Sequence, residues 1–321
     1  MDISCAFATS MDTPEHITLA ERLGYARAWC YDSPALYPDV WMTLARAADR
    51  TSRIGLGPGV LIPSLRHVMT NAAAIAALAQ LAPGRVVVAV GAGFTGRMTL
   101  GQRSLPWSRV AAYIAALRAL LRGEEVAWED AAIRMLHPAG FAPSRPIDVP
   151  VLVAADGPRG LTVARELGDG VFTAGSVQRS GLPWVARLTF GTVLDEGEDA
   201  GSGRALAAAG HAAAVRFHAT YERGGIELLP GGTAWKERVE ALPERTRHLS
   251  IHEGHLVGLN DLDQPLVTGQ MLRDFGLALT AEEFRTRFVR WEDEGVTEIA
   301  YQPAGPDIPR ELRAFATMAG L

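Results

Sequence analysis

Short apolar runs alternate with longer amphipathic segments along most of this chain. Runs rich in valine, isoleucine and alanine, bounded by glycine, proline or aspartate, are typical of parallel strands that are buried on both faces. The runs that predict strands cover residues 2–8, 26–31, 54–60, 86–90, 149–155, 169–173, 187–193 and 296–301. Between most of these runs, apolar residues recur every three or four positions, which predicts helices that pack by one face.

The predicted helices begin and end at recognisable signals. Thr13-Pro14 is an N-cap followed by proline at the first helical position, and Gly24 stops that helix. Further helices are predicted over residues 38–50, 69–81, 110–121, 205–222 and 281–294, and Pro309 opens the last one. Residues 125–136 are predicted to form a small hairpin. Residues 224–265 are predicted to be irregular, and a segment of that length is typical of a functional or lid-like loop.

Residues 149–173 combine a strand, a glycine-bearing turn, a helix and a second strand. The turn is Asp156-Gly157-Pro158-Arg159-Gly160, and Gly168 is expected to end the helix in the left-handed conformation. Free backbone N–H groups at such a helix start, together with the helix dipole, favour an anion such as a phosphate. Arg159 adds a charged donor. The alternative is an ordinary βα loop, in which glycine and proline only shape the turn.

Eight strands that alternate with helices predict an α/β fold, a (β/α)8 TIM barrel with insertion loops at its C-terminal face. No linker-like composition divides residues 1–321, so one domain is expected. In such barrels the chemistry lies at the C-terminal ends of the strands. Those ends are Asp32, Gly59-Val60 and residues 91–94, 154–159 and 173–176.

Composition narrows the classes of function. Of the 321 residues, 48% are hydrophobic and 21% are charged, and the net charge is −5. These values are typical of a globular protein with a large core, and they argue against nucleic-acid binding. Cys5 and Cys30 lie in apolar runs and are expected to be buried, reduced thiols. No secretion signal and no apolar stretch of membrane-span length is visible, so a cytoplasmic protein is expected.

Several stretches, in their order and spacing, resemble the luciferase-like oxidoreductase superfamily. That superfamily comprises flavin-dependent monooxygenases, and dehydrogenases and reductases that use the deazaflavin coenzyme F420. The stretches are residues 19–25 (LAERLGY), 29–32 (WCYD), 51–60 (TSRIGLGPGV), 63–68 (PSLRHV), 84–85 with 91–93, 154–158 and 168–170. They cover most of residues 15–175, and residues 296–315 fit weakly. The resemblance implies a barrel that binds a three-ring cofactor and a small-molecule substrate, and it implies a homodimer.

Two stretches resemble the F420-dependent branch in particular. Residues 154–158 (AADGP) resemble a stretch that lies along the phosphate end of the deazaflavin. Residues 57–60 (GPGV) resemble a segment of the methylenetetrahydromethanopterin reductases, which implies a cis peptide bond between Gly59 and Val60; a trans bond is the general rule. The residues assigned to the cofactor are Asp32, Gly59, Val60, Gly91, Gly93, Ala154, Ala155, Asp156, Gly157, Pro158, Arg159 and Thr173.

The resemblance implies an F420-dependent oxidoreductase that transfers a hydride between the deazaflavin and a small or medium organic substrate. An FMN-dependent monooxygenase that uses O2 is the first alternative, and a barrel that binds a flavin without turnover is the second. Asp32 is the candidate catalytic residue, as a proton donor if burial raises its pKa; its alternative role is to cap the loop before Pro34. Ser33 and Phe94-Thr95 replace a histidine and an acid of the sugar-phosphate dehydrogenases of the superfamily, which argues against glucose-6-phosphate oxidation.

Large aromatic residues of the loops are expected to form an apolar wall for the substrate, although each is also a candidate for ordinary loop packing. They are Phe94, Trp107, Trp184 and Trp235. His248, His252 and His255 form a histidine-rich group, but His252-Glu253-Gly254-His255 is one residue short of the zincin pattern. A polar loop near the mouth of the site is therefore preferred, and no metal is expected.

Overall fold

A closed parallel barrel forms the centre of the computed structural model, which describes residues 1–175 and 181–321. The strands of this part of the chain are β1 (Asp2–Phe7), β2 (Arg27–Cys30), β3 (Gly55–Leu61), β4 (Val88–Gly91), β5 (Val126–Trp128), β6 (Ala131–Ile133), β7 (Val151–Ala154), β8 (Gly170–Thr173), β9 (Val185–Thr189), β10 (Thr192–Val193), β11 (Ala278–Leu279) and β12 (Glu298–Tyr301). The barrel closes in the order β1-β12-β9-β8-β7-β4-β3-β2. The predicted (β/α)8 fold is therefore confirmed.

Helices follow the barrel strands and cover their outer surface. The helices of the described residues are α1 (Thr13–Leu23), α2 (Val40–Ala48), α3 (Val68–Leu81), α4 (Thr95–Met98), α5 (Trp107–Arg122), α6 (Pro158–Leu167), α7 (Gly203–Arg223), α8 (Gly232–Glu240), α9 (Arg247–Ile251), α10 (Gly269–Asp274), α11 (Ala281–Asp293) and α12 (Ile308–Ala319). Pro14 and Pro158 stand in the first turns of α1 and α6, where a missing N–H breaks no helical bond. None of these helices is both long enough and apolar enough to cross a membrane.

Several predicted boundaries change in the structure. The cap of α1 is Asp12, not Thr13. Gly168 follows α6 in an extended conformation (φ −101°), so the predicted left-handed cap is wrong there, whereas Gly24 after α1 does adopt it (φ 93°). The predicted strand 187–193 divides into β9 and β10, and β10 leaves the barrel to pair with β11. Residues 224–265 are less irregular than expected, because they contain α8, α9 and a 3₁₀ turn at Ile226–Leu228.

Alternate side chains of each barrel strand point to opposite faces, which creates two apolar layers. The outer layer, against the helices, contains Ile3, Val88 and Val153 among many aliphatic residues. The inner layer fills the barrel and includes Trp29 and Phe172, whose rings meet edge to face with centroids 5.1 Å apart. Cys5 and Cys30 are buried and free, as predicted.

A hydrogen-bonded floor closes the N-terminal end of the barrel. Glu298, at the start of β12, is 1% exposed and accepts hydrogen bonds from the indole nitrogens of Trp29 (2.8 Å) and Trp184 (2.7 Å). Arg27 NH1 lies 3.0 Å from the same carboxylate. With this end closed, a cleft into the barrel opens at the C-terminal ends of the strands.

Candidate active site

A cleft of about 440 Å³ opens where the barrel strands end. Its residues come from the ends of β2, β3, β4, β7, β8 and β9 and from the loops that follow them. They are Tyr31, Asp32, Ser33, Tyr37, Gly59, Val60, Ile62, Gly91, Ala92, Gly93, Phe94, Thr95, Gly96, Ser104, Leu105, Trp107, Ala154, Ala155, Asp156, Phe172, Ala174, Leu188, Arg223 and Leu256. The volume lies within the range of small-molecule and cofactor sites.

Small residues form an apolar bed along one side of the cleft. Gly91 and Ala154 are paired in register between β4 and β7. A Cβ atom placed on Gly91 would lie 3.0 Å from Val60 Cγ2 and 3.1 Å from Ala154 Cβ, so a side chain at this position would fill the bed. The peptide bond between Gly59 and Val60 is cis, as the resemblance implied. A flat apolar group can therefore approach the backbone closely at these strand ends.

Asp32 lies in the wall of the cleft directly after β2 and is 3% exposed. Its Oδ2 atom pairs with NH1 of Arg66, and NH2 of the same arginine lies 2.7 Å from Asp39 Oδ2. Burial raises the pKa of Asp32 above its usual value and outweighs the opposing effect of the Arg66 guanidinium. Asp32 is thus a buried carboxyl that is paired with Arg66 in the wall of the cleft.

The turn after β7 forms the exposed end of the cleft. Asp156 Oδ1 accepts hydrogen bonds from Thr173 Oγ1 (2.5 Å) and from the backbone N–H groups of Ala174 (3.1 Å) and Gly175 (2.9 Å). This carboxylate therefore joins the turn before α6 to the loop after β8. In the described part of the chain no side chain caps the N-terminus of α6, where Gly157 is the N-cap. Pro158 has no N–H group, so the backbone donors of this first turn are those of Arg159 and Gly160.

A short segment, residues 252–258, covers part of the cleft, and we call it the cover segment. Leu256 contributes its side chain to the wall. The Tyr37 hydroxyl donates to the His255 carbonyl oxygen, and Gln302 Nε2 donates to the Leu256 carbonyl oxygen at 2.6 Å. These two bonds fix the backbone of the cover segment to the barrel rim.

Most of the predicted site residues do meet at this cleft. Asp32, Gly59, Val60, Gly91, Gly93, Phe94, Trp107, Ala154, Ala155 and Asp156 line it. Gly157, Pro158 and Arg159 are exposed at the adjoining helix start, and Thr173 is buried behind Asp156. Residues 176–180, which include the predicted strand end at 176, lie outside the described residues.

Two of the four predicted aromatic wall residues are misplaced. Trp184 precedes β9, so it lies at the opposite, N-terminal end of the barrel, where it bonds to Glu298. Trp235 is fully buried in a satellite core beside Phe217 and Val239, with its indole N–H 2.8 Å from Asp263 Oδ1. Neither tryptophan lines the cleft, so the prediction is wrong for both.

Sequence reasoning also missed residues that the cleft uses. Tyr31, Tyr37, Phe172 and Leu256 contribute to the wall, and Arg66 holds Asp32. The signal for Arg66 is its position three residues after Pro63, at the exit of a barrel strand whose neighbour ends in a carboxylate. The histidine group is also different: His218 on α7, not His248, joins His252 and His255.

Comparison with known proteins gives a family match, two similar reductases and a solved structure of the same fold. The sequence model of the luciferase-like monooxygenase family matches residues 8–298. The chain is 26% identical to a 5,10-methylenetetrahydromethanopterin reductase of Archaeoglobus fulgidus over an alignment of 323 positions, gaps included, that covers 93% of this chain and 91% of that protein. It is 32% identical to the reductase of the same name from Methanolobus tindarius over 162 residues, 48% of this chain and 47% of that protein, so this match spans about half of the relative's length.

A solved structure shares the fold. The coenzyme F420-dependent tetrahydromethanopterin reductase from Methanopyrus kandleri superposes with a TM-score of 0.67 over 99% of this chain and 98% of that chain, at 19% sequence identity. At that identity the likeness shows the barrel fold alone.

Proposed function

The chain belongs to the luciferase-like monooxygenase family, and on that premise we propose that it is an F420-dependent oxidoreductase. It would transfer a hydride between the deazaflavin and a small or medium organic substrate. The observation that carries this proposal is the continuity of the cleft, which runs from the apolar bed of Val60, Gly91 and Ala154 to Asp156 at the start of α6. A flat ring system with a phosphate-bearing tail requires an apolar surface for the ring and, next to it, a helix start for the phosphate.

The residues present fit the ring of such a cofactor. The bed consists of small apolar groups, and a Cβ atom on Gly91 would occupy it at 3.0 Å from Val60. When bound, the deazaflavin supplies a ring carbon that accepts or donates a hydride. The chain's part is to hold that ring against the substrate and to exclude water, and Phe172 and Leu256 provide apolar surface for this.

The start of α6 fits the tail. No described side chain caps the first turn, where Arg159 is exposed and Gly160 is buried. An anionic tail would therefore meet both the positive end of a helix and a guanidinium. Asp156 is turned away to the loop after β8 by its three hydrogen bonds, which limits its repulsion of an anion.

Asp32 is the residue to which we assign a proton-transfer role. Arg66 binds its Oδ2 atom, and we assign the transferred proton to the other oxygen, Oδ1. Burial raises the pKa of this carboxyl, which favours its protonated form nearer to neutral pH. We do not propose glucose-6-phosphate oxidation, because Ser33 and Phe94-Thr95 lack the acid–base groups of the sugar-phosphate dehydrogenases.

The biological context is proposed on the resemblance and on two further observations. Cys5 and Cys30 are free and buried, which is common in cytoplasmic proteins, and this supports that location. The cleft draws its residues from strands in both halves of the chain, which supports one functional domain over residues 1–321. A homodimer follows from the resemblance, and sedimentation at several concentrations tests it: a concentration-independent monomer would refute it.

The decisive experiment for the function is a binding titration of the purified protein with F420 and with FMN, followed by fluorescence. We expect saturable F420 binding. Ala154→Leu would overpack the bed at a cost of about 1–3 kcal/mol, so F420 affinity should fall roughly 5- to 150-fold. Ala127→Leu, at an exposed position of the hairpin strand β5, is the matched control and should leave the affinity unchanged.

Other outcomes of the same experiment would contradict the proposal. Tight FMN binding with oxygen consumption by the reduced flavin would identify a monooxygenase instead. F420 binding without hydride transfer to any member of a panel of alcohols, aldehydes and enones would indicate a barrel that binds the cofactor without turnover. Equal losses of affinity in both leucine variants would show that the bed is not the ring site.

A further inference from the structure

Three buried histidines meet where the cover segment packs against α7, outside the cleft itself. They are His218 on α7, His252 directly after α9, and His255. His255 Nδ1 lies 3.2 Å from His218 Nδ1 and 3.3 Å from His252 Nδ1. The side chains are 1–3% exposed, so water does not separate the rings. Three ring nitrogens thus converge on one small volume.

Three neutral imidazoles in this arrangement are not satisfied by hydrogen bonds alone. A neutral imidazole has one N–H group and one lone pair. His218 Nε2 lies 3.1 Å from both oxygens of Asp263, which assigns the proton to Nε2 and leaves a lone pair on Nδ1. His255 Nδ1 can carry one proton, and that proton makes one good bond, to His218 or to His252. One of the three nitrogens is therefore left without a partner of the right kind.

The far side of His252 is equally unsatisfied. Its Nε2 atom is buried and has no hydrogen-bond partner among the described residues. Neutral imidazoles offer lone pairs, and a cation placed among the three Nδ1 atoms would use all of them.

Two of the three nitrogen–nitrogen distances match those of a tetrahedral metal site. With zinc–nitrogen bonds of about 2.0–2.1 Å, two nitrogens of a tetrahedron are about 3.3–3.4 Å apart. The observed separations of 3.2 and 3.3 Å are close to that value. Asp263 bonds to the outer nitrogen of His218 and is itself held by the Trp235 indole at 2.8 Å. A carboxylate on the outer nitrogen is the usual support of a metal-binding histidine.

A surface cleft adjoins this cluster. His252 lines this cleft, which is separate from the candidate active site, together with Thr99, His248 and Glu253. Thr99 Oγ1 is buried there and has no partner among the described residues. The surface nearest to the cluster is therefore lined by polar groups.

We propose that His218, His252 and His255 bind one transition-metal ion of the zinc type through their Nδ1 atoms, with Asp263 as the positioning residue of His218. The ion would join α7 to the cover segment and thereby fix one wall of the cleft. From the sequence, His248 was grouped with His252 and His255, and a polar loop without a metal was expected. In the structure the third histidine is His218, which lies 34 positions before His252 in the sequence. Imidazole ligands suit zinc, copper, iron and nickel, and the two measured separations fit tetrahedral zinc.

The test is metal binding by the full-length protein after chelation and removal of the chelator. Titration with Co²⁺ should give the intense visible bands of tetrahedral coordination and saturate at one ion per chain, and Zn²⁺ should displace it. His252→Asn should abolish these bands. His211→Gln is the matched control, since His211 is a fully buried histidine of α7 outside the cluster, and it should retain them. Asp263→Asn should weaken the affinity for Zn²⁺ about 10- to 100-fold.

Several results would overturn the proposal. Wild-type protein that binds neither Co²⁺ nor Zn²⁺ at a one-to-one ratio would do so, whatever the variants show. So would unchanged bands in a His252→Asn protein whose circular dichroism matches that of the metal-free wild type. Loss of the bands in His248→Gln with retention in His252→Asn would move the site to the surface cleft. These measurements use the metal alone, so their outcome is separate from that of F420 binding.

Discussion

Arg66 bonds to Asp32 in the wall of the cleft and, through its other terminal nitrogen, to Asp39 at the start of α2. Asp39 also caps that helix, because its Oδ1 atom accepts from the N–H groups of Trp41 and Met42. One arginine therefore connects a strand end that lines the cleft to the helix that packs behind it. The candidate catalytic carboxyl is positioned by a residue that is itself anchored to the fold.

Removing this arginine should be strongly destabilising. The side chains of Arg66 and Asp32 are 15% and 2% exposed, and loss of one partner of such a buried pair typically costs about 3–5 kcal/mol, since the other charge remains buried. Arg66→Met should therefore lower the free energy of unfolding, measured with urea at pH 7, by about that amount. The double variant Asp32→Asn/Arg66→Met should be more stable than Arg66→Met alone.

The control for that measurement is an exposed pair. Arg290 lies 3.8 Å from Glu294, and its side chain is 66% exposed. Arg290→Met should produce no measurable change, because solvent screens such pairs. If Arg290→Met and Arg66→Met lowered the free energy of unfolding equally, the pair of Arg66 with Asp32 would contribute no more to stability than an exposed pair.

The raised pKa of Asp32 predicts the sign of a pH dependence. Because burial makes the folded state hold the proton more tightly than the unfolded state, the stabilising contribution is complete below the unfolded pKa of about 3.9 and is lost as pH rises through the folded pKa. The free energy of unfolding of the wild type minus that of Asp32→Asn should therefore decrease with rising pH from about 4 and then level off. Urea unfolding of both proteins at a series of pH values measures it. A difference that increases with pH would mean that Arg66 dominates over burial.

The barrel and the position of its cleft were predictable because the apolar runs mark the strands, and the end of each run marks the rim of the barrel. A strand buried on both faces reads as a continuous apolar run, and parallel strands of a barrel end on the same rim. Asp32, Gly91 and Ala154 each stand at or directly after such a run, so they had to meet. The same rule exposes the error at Trp184: a residue that directly precedes a strand lies on the opposite rim.

Other parts of the site depend on contacts that cannot be predicted from the local sequence pattern. Arg66 pairs with a residue 34 positions away, and His218 meets His255 across 37 positions. Trp235 stands in a segment without clear periodicity, and only packing against α7 shows that it belongs to a core. These contacts join residues that are far apart in the sequence. They form only when the tertiary fold brings the helices and the long side chains together.

The floor of the barrel gives a second test of stability. Glu298 accepts from the indoles of Trp29 and Trp184 and pairs with Arg27. Glu298→Gln replaces one acceptor by an NH2 donor that faces other donors, so at least one buried N–H loses its partner, at a cost of about 1–3 kcal/mol. Urea unfolding should show that loss, whereas Glu292→Gln, at a side chain that is 64% exposed, should not. Unchanged stability of Glu298→Gln would indicate that the floor relaxes around the amide.

The cover segment should open more easily when its bonds to the barrel are removed. The Tyr37 hydroxyl donates to the His255 carbonyl oxygen, and loss of one such bond typically costs about 1 kcal/mol. In Tyr37→Phe the amide hydrogens of residues 252–258 should exchange roughly fivefold faster, if local opening controls their exchange.

Tyr25→Phe is the matched control. The buried Tyr25 hydroxyl also donates to a backbone carbonyl, that of Leu312 at 2.9 Å, but this bond lies far along the chain from the cover segment. Hydrogen–deuterium exchange followed by mass spectrometry distinguishes the two variants. Faster exchange in both would point to a general loss of stability, and no change in Tyr37→Phe would leave the Gln302 bond to Leu256 as the main attachment of the cover segment.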